Sequence, residues 1–193
     1  MNKKIGLLLR SYAKKPAAVE EVVRRAVKSI MRAHDLRDKN GGTVFDAVVV
    51  IVPSDYDCGI TANEIIRKLP AEYIEQRVYI LEVPGHHSCG ALNEGVETLS
   101  NMGIDYAVIL SNKTIQALTI NMLGAMLEAF SKGAKVVGVA VDELQKFVLE
   151  GRIQNTFAGW DVKALREVGG FDSPAGVEEV TPTVRLLWKY GKC

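Results

Sequence analysis

Two adjacent glutamates near the C-terminus, Glu178 and Glu179, are candidates for acid–base chemistry. A carboxylate can take the proton of a hydroxyl group while that oxygen attacks a carbon atom. The same pair in front of a helix would also complement the positive end of the helix dipole, which is worth about 0.3 to 1 kcal/mol for each charge. The sequence leaves open whether the pair is catalytic or helix-stabilising, and which glutamate would be the base.

Polar side chains also follow several short apolar runs. They are Arg10, Ser11 and Tyr12 after the first run, Asp55 and Asp57 after the second, His86 after the third, and Ser111, Asn112 and Lys113 after the fourth. In open parallel sheets, ligands bind beyond the carboxyl ends of the strands. If these runs are such strands, the polar side chains form one ligand site. Alternatively, these residues only stabilise loops, because aspartates near a glycine favour Asx turns.

The elements that would position these residues alternate between strand and helix. The predicted strands are Ile5–Leu9, Ala47–Val52, Val78–Val83, Tyr106–Leu110 and Lys135–Val141. The predicted helices are a first one with an apolar stripe from Val19 to Met31, then 61–69, 90–101, 116–131 and 162–167. Most of the strands are continuous apolar runs, as expected when both faces are buried. This alternation predicts an α/β fold, Rossmann-like, in which helices cover both faces of a mostly parallel sheet.

Length and composition narrow the class of protein. The chain has 193 residues, 48% of them hydrophobic, which suits one buried core and a single domain over 1–193. The 24 Lys and Arg residues oppose 23 Asp and Glu residues, so we expect no nucleic acid partner. No apolar run approaches the roughly 20 residues of a membrane helix, and Ile5–Leu9 is too short for a signal peptide. We therefore expect a cytoplasmic protein with a small-molecule or carbohydrate ligand.

Positive charge is concentrated in the first 40 residues, which hold eleven Lys and Arg against four Asp and Glu. Cations along the first helix would attract phosphate or an anionic membrane surface. The alternative is a solvated helix face. The sequence leaves these uses open, including peripheral contact with a membrane.

An ordered set of motifs runs through the chain. The segments are VPSDYDCGIT at 52–61, GALNEG at 90–95, DYAVIL at 105–110, VGGFD at 168–172, EE at 178–179 and RLLWKYG at 185–191. Together they resemble a family 2 type glycosyltransferase with the GT-A fold, within the nucleotide-diphospho-sugar transferases. The resemblance spans almost the whole chain. It implies transfer of a sugar from a nucleotide-diphosphate sugar to an acceptor that is an unidentified carbohydrate, lipid or protein.

The resemblance also implies roles for individual residues. Donor-binding positions would be Arg10, Ser11, Tyr12, Asp55, Asp57, His86, Asn93, Ser111, Asn112 and Lys113. Acceptor-binding positions would be Trp160, Asp161, Gly169, Gly170, Phe171 and Asp172. The catalytic base would be Glu178 or Glu179. Trp160 is expected to stack on an acceptor sugar, and Trp188, in an apolar helical run, is expected to lie in the core.

The chain departs from the family at the end of the fourth strand. The family has an Asp-x-Asp there that holds Mg²⁺ or Mn²⁺, and this chain has Ser111, Asn112 and Lys113 instead. Such ions prefer anionic oxygen ligands, whereas serine and asparagine oxygens are neutral. Lys113 would place a positive charge where the metal neutralises phosphate, with an exposed loop lysine as the alternative. Metal dependence stays open, and we expect donor binding to survive EDTA.

Two further classes of function fit the same residues. Replacement of the Asp-x-Asp also suits a noncatalytic nucleotide-sugar-binding or interaction domain of the same fold. A sugar nucleotidyltransferase has a similar architecture, but the segment RSYAKKP at 10–16 lacks the glycine-rich phosphate loop of such enzymes. Glycosyl transfer is therefore the leading hypothesis, with these two as alternatives.

Overall fold

The computed structural model describes residues 3–11, 18–54, 60–75, 77–84, 89–112, 114–140, 153–172 and 178–191. The strands are β1 (Ile5–Arg10), β2 (Ala47–Pro53), β3 (Val78–Val83), β4 (Tyr106–Ser111), β5 (Val136–Ala140) and β6 (Ile153–Asp161). The helices are α1 (Val19–Asp35), α2 (Ile60–Lys68), α3 (Ala71–Glu75), α4 (Cys89–Asn101), α5 (Ile120–Ser131), α6 (Val162–Glu167) and α7 (Val180–Tyr190). The predicted α/β class is confirmed.

The central sheet has six strands in the order β3-β2-β1-β4-β6-β5. Strand β1 pairs in parallel with β2 and β4, β2 pairs in parallel with β3, and β6 is antiparallel to both of its neighbours. The register aligns Arg10 with Ser111, so the last residues of β1 and β4 lie side by side. We call this side of the sheet its carboxyl end and the opposite side its amino end.

Strand β6 is absent from the strands that the sequence predicts. Its register pairs Asp161 with Tyr106, so β6 runs toward the amino end of the sheet. A Cβ atom at Gly159 would lie 3.2 Å from the ring of Phe130, which explains a glycine inside this strand. The segment at 157–161, expected to belong to the acceptor side, is therefore part of the sheet. Four residues of β6 favour a strand, but Gln154, Asn155, Ala158 and Gly159 interrupt them, so the local pattern is weak.

Alternate residues of the strands pack into two separate cores. In β1, Leu7 and Leu9 face the layer of α1, α2 and α5, whereas Leu8 faces α4, α6 and α7. The three leucines have 0% exposure. Helix α1 buries Val23 and Ile30 from its predicted stripe. The predicted helices on both faces of the sheet are thus present.

Two helical segments differ from the sequence prediction. The helix expected over 116–131 begins at Ile120, after a short 3-10 turn at 115–117. The hydroxyl oxygen of Thr119 accepts a hydrogen bond from the backbone N–H of Met122 at 3.2 Å, which fixes the start of α5. Helix α3, with five residues, is too short to leave a periodic pattern. In the ranges described above, no helix is long and apolar enough to cross a membrane.

Gly95 of α4 marks the closest approach of that helix to the sheet. A Cβ atom there would lie 2.5 Å from Leu8 Cδ1 and 2.9 Å from Ile51 Cδ1, in the interior of the core. We expect Gly95→Ala to destabilise the protein by about 1 to 3 kcal/mol, because overpacking outweighs the gain in helix propensity. Urea unfolding measures this free energy.

Gly124 of α5 provides the matched control. Apart from its chain neighbours and the backbone of α5 itself, no atom of the described residues lies within 4 Å of a Cβ built at this position. Gly124→Ala should stabilise the protein by about 0.5 to 1 kcal/mol, because alanine is the better helix former. Equal effects of the two substitutions would contradict the close packing of α4 on β1 and β2.

Candidate functional site

The carboxyl end of the sheet brings together Arg10, Ser11, Ser111, Asn112 and Glu178. The side-chain amide of Asn112 donates hydrogen bonds to Ser11 Oγ at 2.6 Å and to the carbonyl oxygen of Arg10 at 3.4 Å. Ser11 is 1% exposed. Asn112, which follows β4, is therefore hydrogen-bonded to the residues at the end of β1. The polar residues predicted after these two strands lie next to each other.

An ion pair joins Arg10 to Glu178 at this end of the sheet. The distance from Arg10 Nη2 to Glu178 Oε1 is 2.7 Å, and the side chains are 22% and 23% exposed. Partial burial strengthens such a pair relative to a fully solvated one. The exposed remainder leaves the guanidinium and the carboxylate accessible to a ligand. The two residues are 168 positions apart in the sequence, and only the fold places them together.

The two adjacent glutamates have different environments. Glu179 is the N-cap residue of α7 and is 7% exposed. Its carbonyl oxygen accepts a hydrogen bond from the hydroxyl of Thr183 at 2.6 Å. Glu178 lies one residue earlier, outside the helix and beside Arg10. Glu179 is thus buried at the start of α7, whereas Glu178 lies at the carboxyl end of the sheet.

The described residues at this end do not form a ligand set for Mg²⁺ or Mn²⁺. Ser111 and Asn112 have neutral oxygens, and the nearby carboxylate of Glu178 is paired with Arg10. Over the part of the chain that the structure describes, no three His, Cys, Asp or Glu side chains are grouped in a way that could hold a metal ion. Because these ions need several hard anionic oxygens, the residues described here do not fit the metal that the resemblance implies.

Asn93, expected to bind the donor, contacts the protein backbone with both ends of its amide. Its Nδ2 donates to the carbonyl oxygen of Phe171 at 3.0 Å, and its Oδ1 accepts from the N–H of Phe171 at 2.8 Å. Gly170 has φ 73°, and a Cβ atom there would lie 2.5 Å from Asn93 Oδ1. These two hydrogen bonds of Asn93 therefore hold the VGGFD segment against α4.

Arg185 fastens the same segment to α7. Its guanidinium donates to the carbonyl oxygen of Val168 at 3.2 Å and contacts Asp172 Oδ2 at 3.2 Å. Gly169, with φ 89°, lies against this guanidinium. Four of the residues expected to meet an acceptor, those at 169–172, thus lie in a segment that α4 and α7 hold in place.

The environments of the two tryptophans are the reverse of the prediction. Trp160 has 0% exposure and packs edge-on against Phe171, which is 2% exposed, with ring centroids 5.1 Å apart. Trp188 is 82% exposed. A ring without exposed surface cannot stack on an acceptor sugar, so the stacking role expected of Trp160 is wrong. Trp188 lies on the outer face of α7 and not in the core.

Asp161 also lies away from the Arg10–Glu178 pair. Strand β6 places it opposite Tyr106 at the amino end of the sheet, about 16 Å along β4 from Ser111. There its carboxylate accepts from the N–H of Ala164 at 3.0 Å and pairs with Lys135 at 2.9 Å. Asp161 therefore caps the start of α6 and pairs with the residue that precedes β5.

Five of the predicted donor-binding residues lie outside the described residues. These are Tyr12, Asp55, Asp57, His86 and Lys113. Their contribution to the site stays a prediction from the sequence.

A cavity of about 830 Å³ opens at the amino end of the sheet. The charged groups on its wall pair with one another, as Lys3 does with Asp105 at 2.7 Å and Arg166 with Glu97 at 2.8 Å. Hydrogen bonds from Lys189 and Tyr190 lower the pKa of Glu167, another lining residue, to about 2. These charges are already compensated within the protein, and the cavity lies away from the polar cluster at the strand ends.

No family model and no curated protein matches this sequence. Solved structures with the same fold include a mannosyltransferase from Pyrobaculum calidifontis in complex with GDP-Man and Mn²⁺, with a TM-score of 0.66 and 14% identity. They also include a cytidylyltransferase from Leptospira borgpetersenii, with a TM-score of 0.57 and 11% identity. A third is a 4-diphosphocytidyl-2C-methyl-D-erythritol synthase from Anaerococcus prevotii, with a TM-score of 0.55 and 11% identity.

The alignments cover 96%, 97% and 98% of this chain and 52%, 73% and 85% of the three structures, in the same order. The chain therefore spans about half the length of the mannosyltransferase. The fold is that of the nucleotide-diphospho-sugar transferases, of the GT-A-like type. Identities of 11 to 14% show this fold alone, so the reaction has to be inferred from the site.

Proposed function

We propose that this protein is a family 2 type glycosyltransferase that binds a nucleotide-diphosphate sugar at the carboxyl end of the sheet. The ion pair between Arg10 and Glu178 carries the proposal, because it places a cation and a carboxylate beside the polar groups of Ser11 and Asn112. A GT-A-like fold binds its ligand where the parallel strands end. The pair therefore stands where a diphosphate and an attacking hydroxyl would meet.

In the proposed reaction, Arg10 binds the diphosphate and leaves Glu178 free to accept a proton. The acceptor oxygen forms a bond to the anomeric carbon while the bond from that carbon to the diphosphate oxygen breaks. The acceptor proton passes to Glu178, and the nucleoside diphosphate leaves with the bonding electrons. Positive charge at Arg10 stabilises the departing diphosphate. Glu179, buried at the start of α7, has the helix-stabilising role.

Nucleotidyl transfer is the second candidate function. It is favoured by the cytidylyltransferase structures, of which the alignments cover 73% and 85%, against 52% of the mannosyltransferase. A nucleotidyltransferase releases pyrophosphate, a glycosyltransferase releases nucleoside diphosphate, and a noncatalytic binding domain releases neither. Product analysis therefore distinguishes the three.

Donor binding is tested by thermal unfolding with UDP-, GDP-, CMP- and dTDP-sugars, each with Mn²⁺ and with EDTA. A ligand at about 100 times its Kd stabilises by about 2.7 kcal/mol, which for a chain of this size raises Tm by about 5 to 11 °C. We expect such a shift with one nucleotide, and we expect it to persist in EDTA.

Two arginine substitutions make this test specific to the site. Arg10→Gln should abolish the shift, whereas Arg166→Gln should keep it, because Arg166 pairs with Glu97 at the amino end of the sheet. The absence of a shift with every donor, or a shift that Arg10→Gln leaves intact, would contradict the proposed site.

A further inference from the structure

Three cations of α1, none of which belongs to the proposed donor site, line a cavity that shares only Asn112 with that site. The cavity has a volume of about 310 Å³, within the lower range of small-molecule sites. It lies between α1 and the chain that follows β4, and its wall is formed by Glu21, Arg24, Arg25, Lys28, Asn112, Ile115 and Gln116. The sequence leaves open whether the basic face of α1 binds phosphate or is only solvated. In the structure, this face is part of a concave surface.

Glu21 holds the two arginines of this wall in place. Arg24 makes a two-pronged contact with its carboxylate, at 2.7 and 2.8 Å, and Arg25 Nε donates to Glu21 Oε1 at 2.6 Å. A guanidinium has five N–H donors, so each arginine keeps donors beyond those used on Glu21. The hydrogen bonds from Arg24 also lower the pKa of Glu21, which keeps the carboxylate ionised.

The balance of charge on the wall is positive. Lys28 is exposed and has no carboxylate partner among the residues described in the structure. Setting the one carboxylate, Glu21, against the three cations leaves a charge of +2. This distinguishes the cavity from the larger one at the amino end, where the lining charges compensate one another.

Asn112 adds a polar atom that has no hydrogen-bond partner among the described residues. Its Oδ1 is buried and accepts no hydrogen bond from the described residues, while its Nδ2 donates a hydrogen bond to Ser11 Oγ. This oxygen has almost no accessible surface, so a ligand in the cavity could contact it only if the Asn112 side chain moved. The groups that a ligand would contact are therefore the three cations of α1, which suit anionic oxygens.

From these contacts we infer that the cavity between α1 and the chain after β4 is a binding site for a phosphoryl group. A phosphomonoester carries about −1.5 to −2 charge at pH 7, which matches the charge of the wall, and its oxygens suit guanidinium donors. The cations are not those of the proposed active site, since Arg10 does not line the cavity. The inference does not rest on glycosyl transfer. The phosphoryl group is carried either by a soluble phosphate compound or by a lipid headgroup.

The site is tested with inorganic pyrophosphate and calorimetry on the full chain at low salt, in the Arg10→Gln background, because Arg10 is itself proposed to bind a diphosphate. Lys28→Gln should weaken binding about tenfold or more, because it removes a charged donor, and Arg25→Gln combined with it should weaken binding further. Arg32→Gln is the matched control: it removes one positive charge from the same helix but lies outside the cavity wall. We expect it to leave the Kd of pyrophosphate unchanged.

Vesicle flotation distinguishes the two sources of the phosphoryl group. Phosphatidylcholine vesicles with and without phosphatidic acid serve as the lipid probe. Pyrophosphate binding that depends on Lys28 supports the site with a soluble ligand, and flotation on phosphatidic acid that depends on Lys28 supports it with a lipid. If neither probe binds, or if Lys28→Gln and Arg32→Gln weaken binding equally, the site does not exist.

The same probes separate this inference from the proposed function. Arg10→Gln, which should abolish binding of the sugar donor, is expected to retain pyrophosphate binding in the cavity. Failure of every sugar donor together with Lys28-dependent binding of pyrophosphate would reject the donor site and keep the phosphoryl site.

Discussion

Glu178→Gln is expected to lower the rate of sugar transfer by about 10² to 10⁴-fold, which is the usual contribution of a general base. Glutamine keeps the shape of the side chain and removes its ability to accept the proton. The binding of the donor should stay near that of the wild type, because Arg10 is retained. Release of nucleoside diphosphate gives the rate, and the thermal shift with the donor gives the binding.

Two other glutamates serve as controls for this experiment. Glu97→Gln changes a glutamate that is also paired with an arginine, but at the amino end of the sheet, and it should keep full activity. Glu179→Gln should also retain turnover, because Glu179 is buried at the start of α7. Loss of turnover in Glu179→Gln with full activity in Glu178→Gln would assign the base to Glu179. Full activity in both would refute a base at this position.

Trp160→Ala is expected to destabilise the protein by about 3 to 5 kcal/mol, as large-to-small substitutions of buried aromatic residues do. Trp160 has 0% exposure, lies in β6 between two other strands, and packs against Phe171. The substitution therefore leaves a cavity in the core that contains α4, α6 and α7. Urea unfolding measures the loss, and Trp160→Phe, which keeps most of the volume, should recover part of it.

Trp188→Ala is the matched control, because Trp188 is 82% exposed. Its effect should stay within about 0.5 kcal/mol, as for most surface substitutions. The chain has two tryptophans, so the fluorescence of Trp188→Ala reports Trp160 alone and should show the emission of a buried indole. A large destabilisation by Trp188→Ala together with a small one by Trp160→Ala would contradict the described packing.

The parallel part of the sheet could be predicted from the sequence. In β2 residues 47–52 are buried, and in β4 residues 107–110 are buried. Because both faces of these stretches are covered, each appears as a continuous apolar run. The first helix could be predicted for a similar reason, since burial of one face imposes a 3.6-residue spacing of apolar side chains. These signals are local, and they also predict which residues follow each strand.

The sequence did not predict strand β6, which lies between β4 and the predicted β5. Strand β6 contains Gly159 because Phe130 of α5 lies against it, a contact that no local pattern shows. The same strand carries Trp160 inward and Asp161 to the amino end, away from the site for which their residue types suggested a role. Residue type alone therefore misplaced Trp160 and Asp161.

The sequence by itself determined the α/β class, the apolar strands and the expectation that polar residues meet at the carboxyl end of the sheet. The tertiary structure decided which of them meet: Arg10 with Glu178 across 168 positions, and Asn112 with Ser11 across 101. It also separated Glu178 from Glu179 by their burial. The reason is physical: periodicity and propensity depend on neighbours along the chain, whereas ion pairs and cavities depend on the order and direction of strands that lie far apart in sequence.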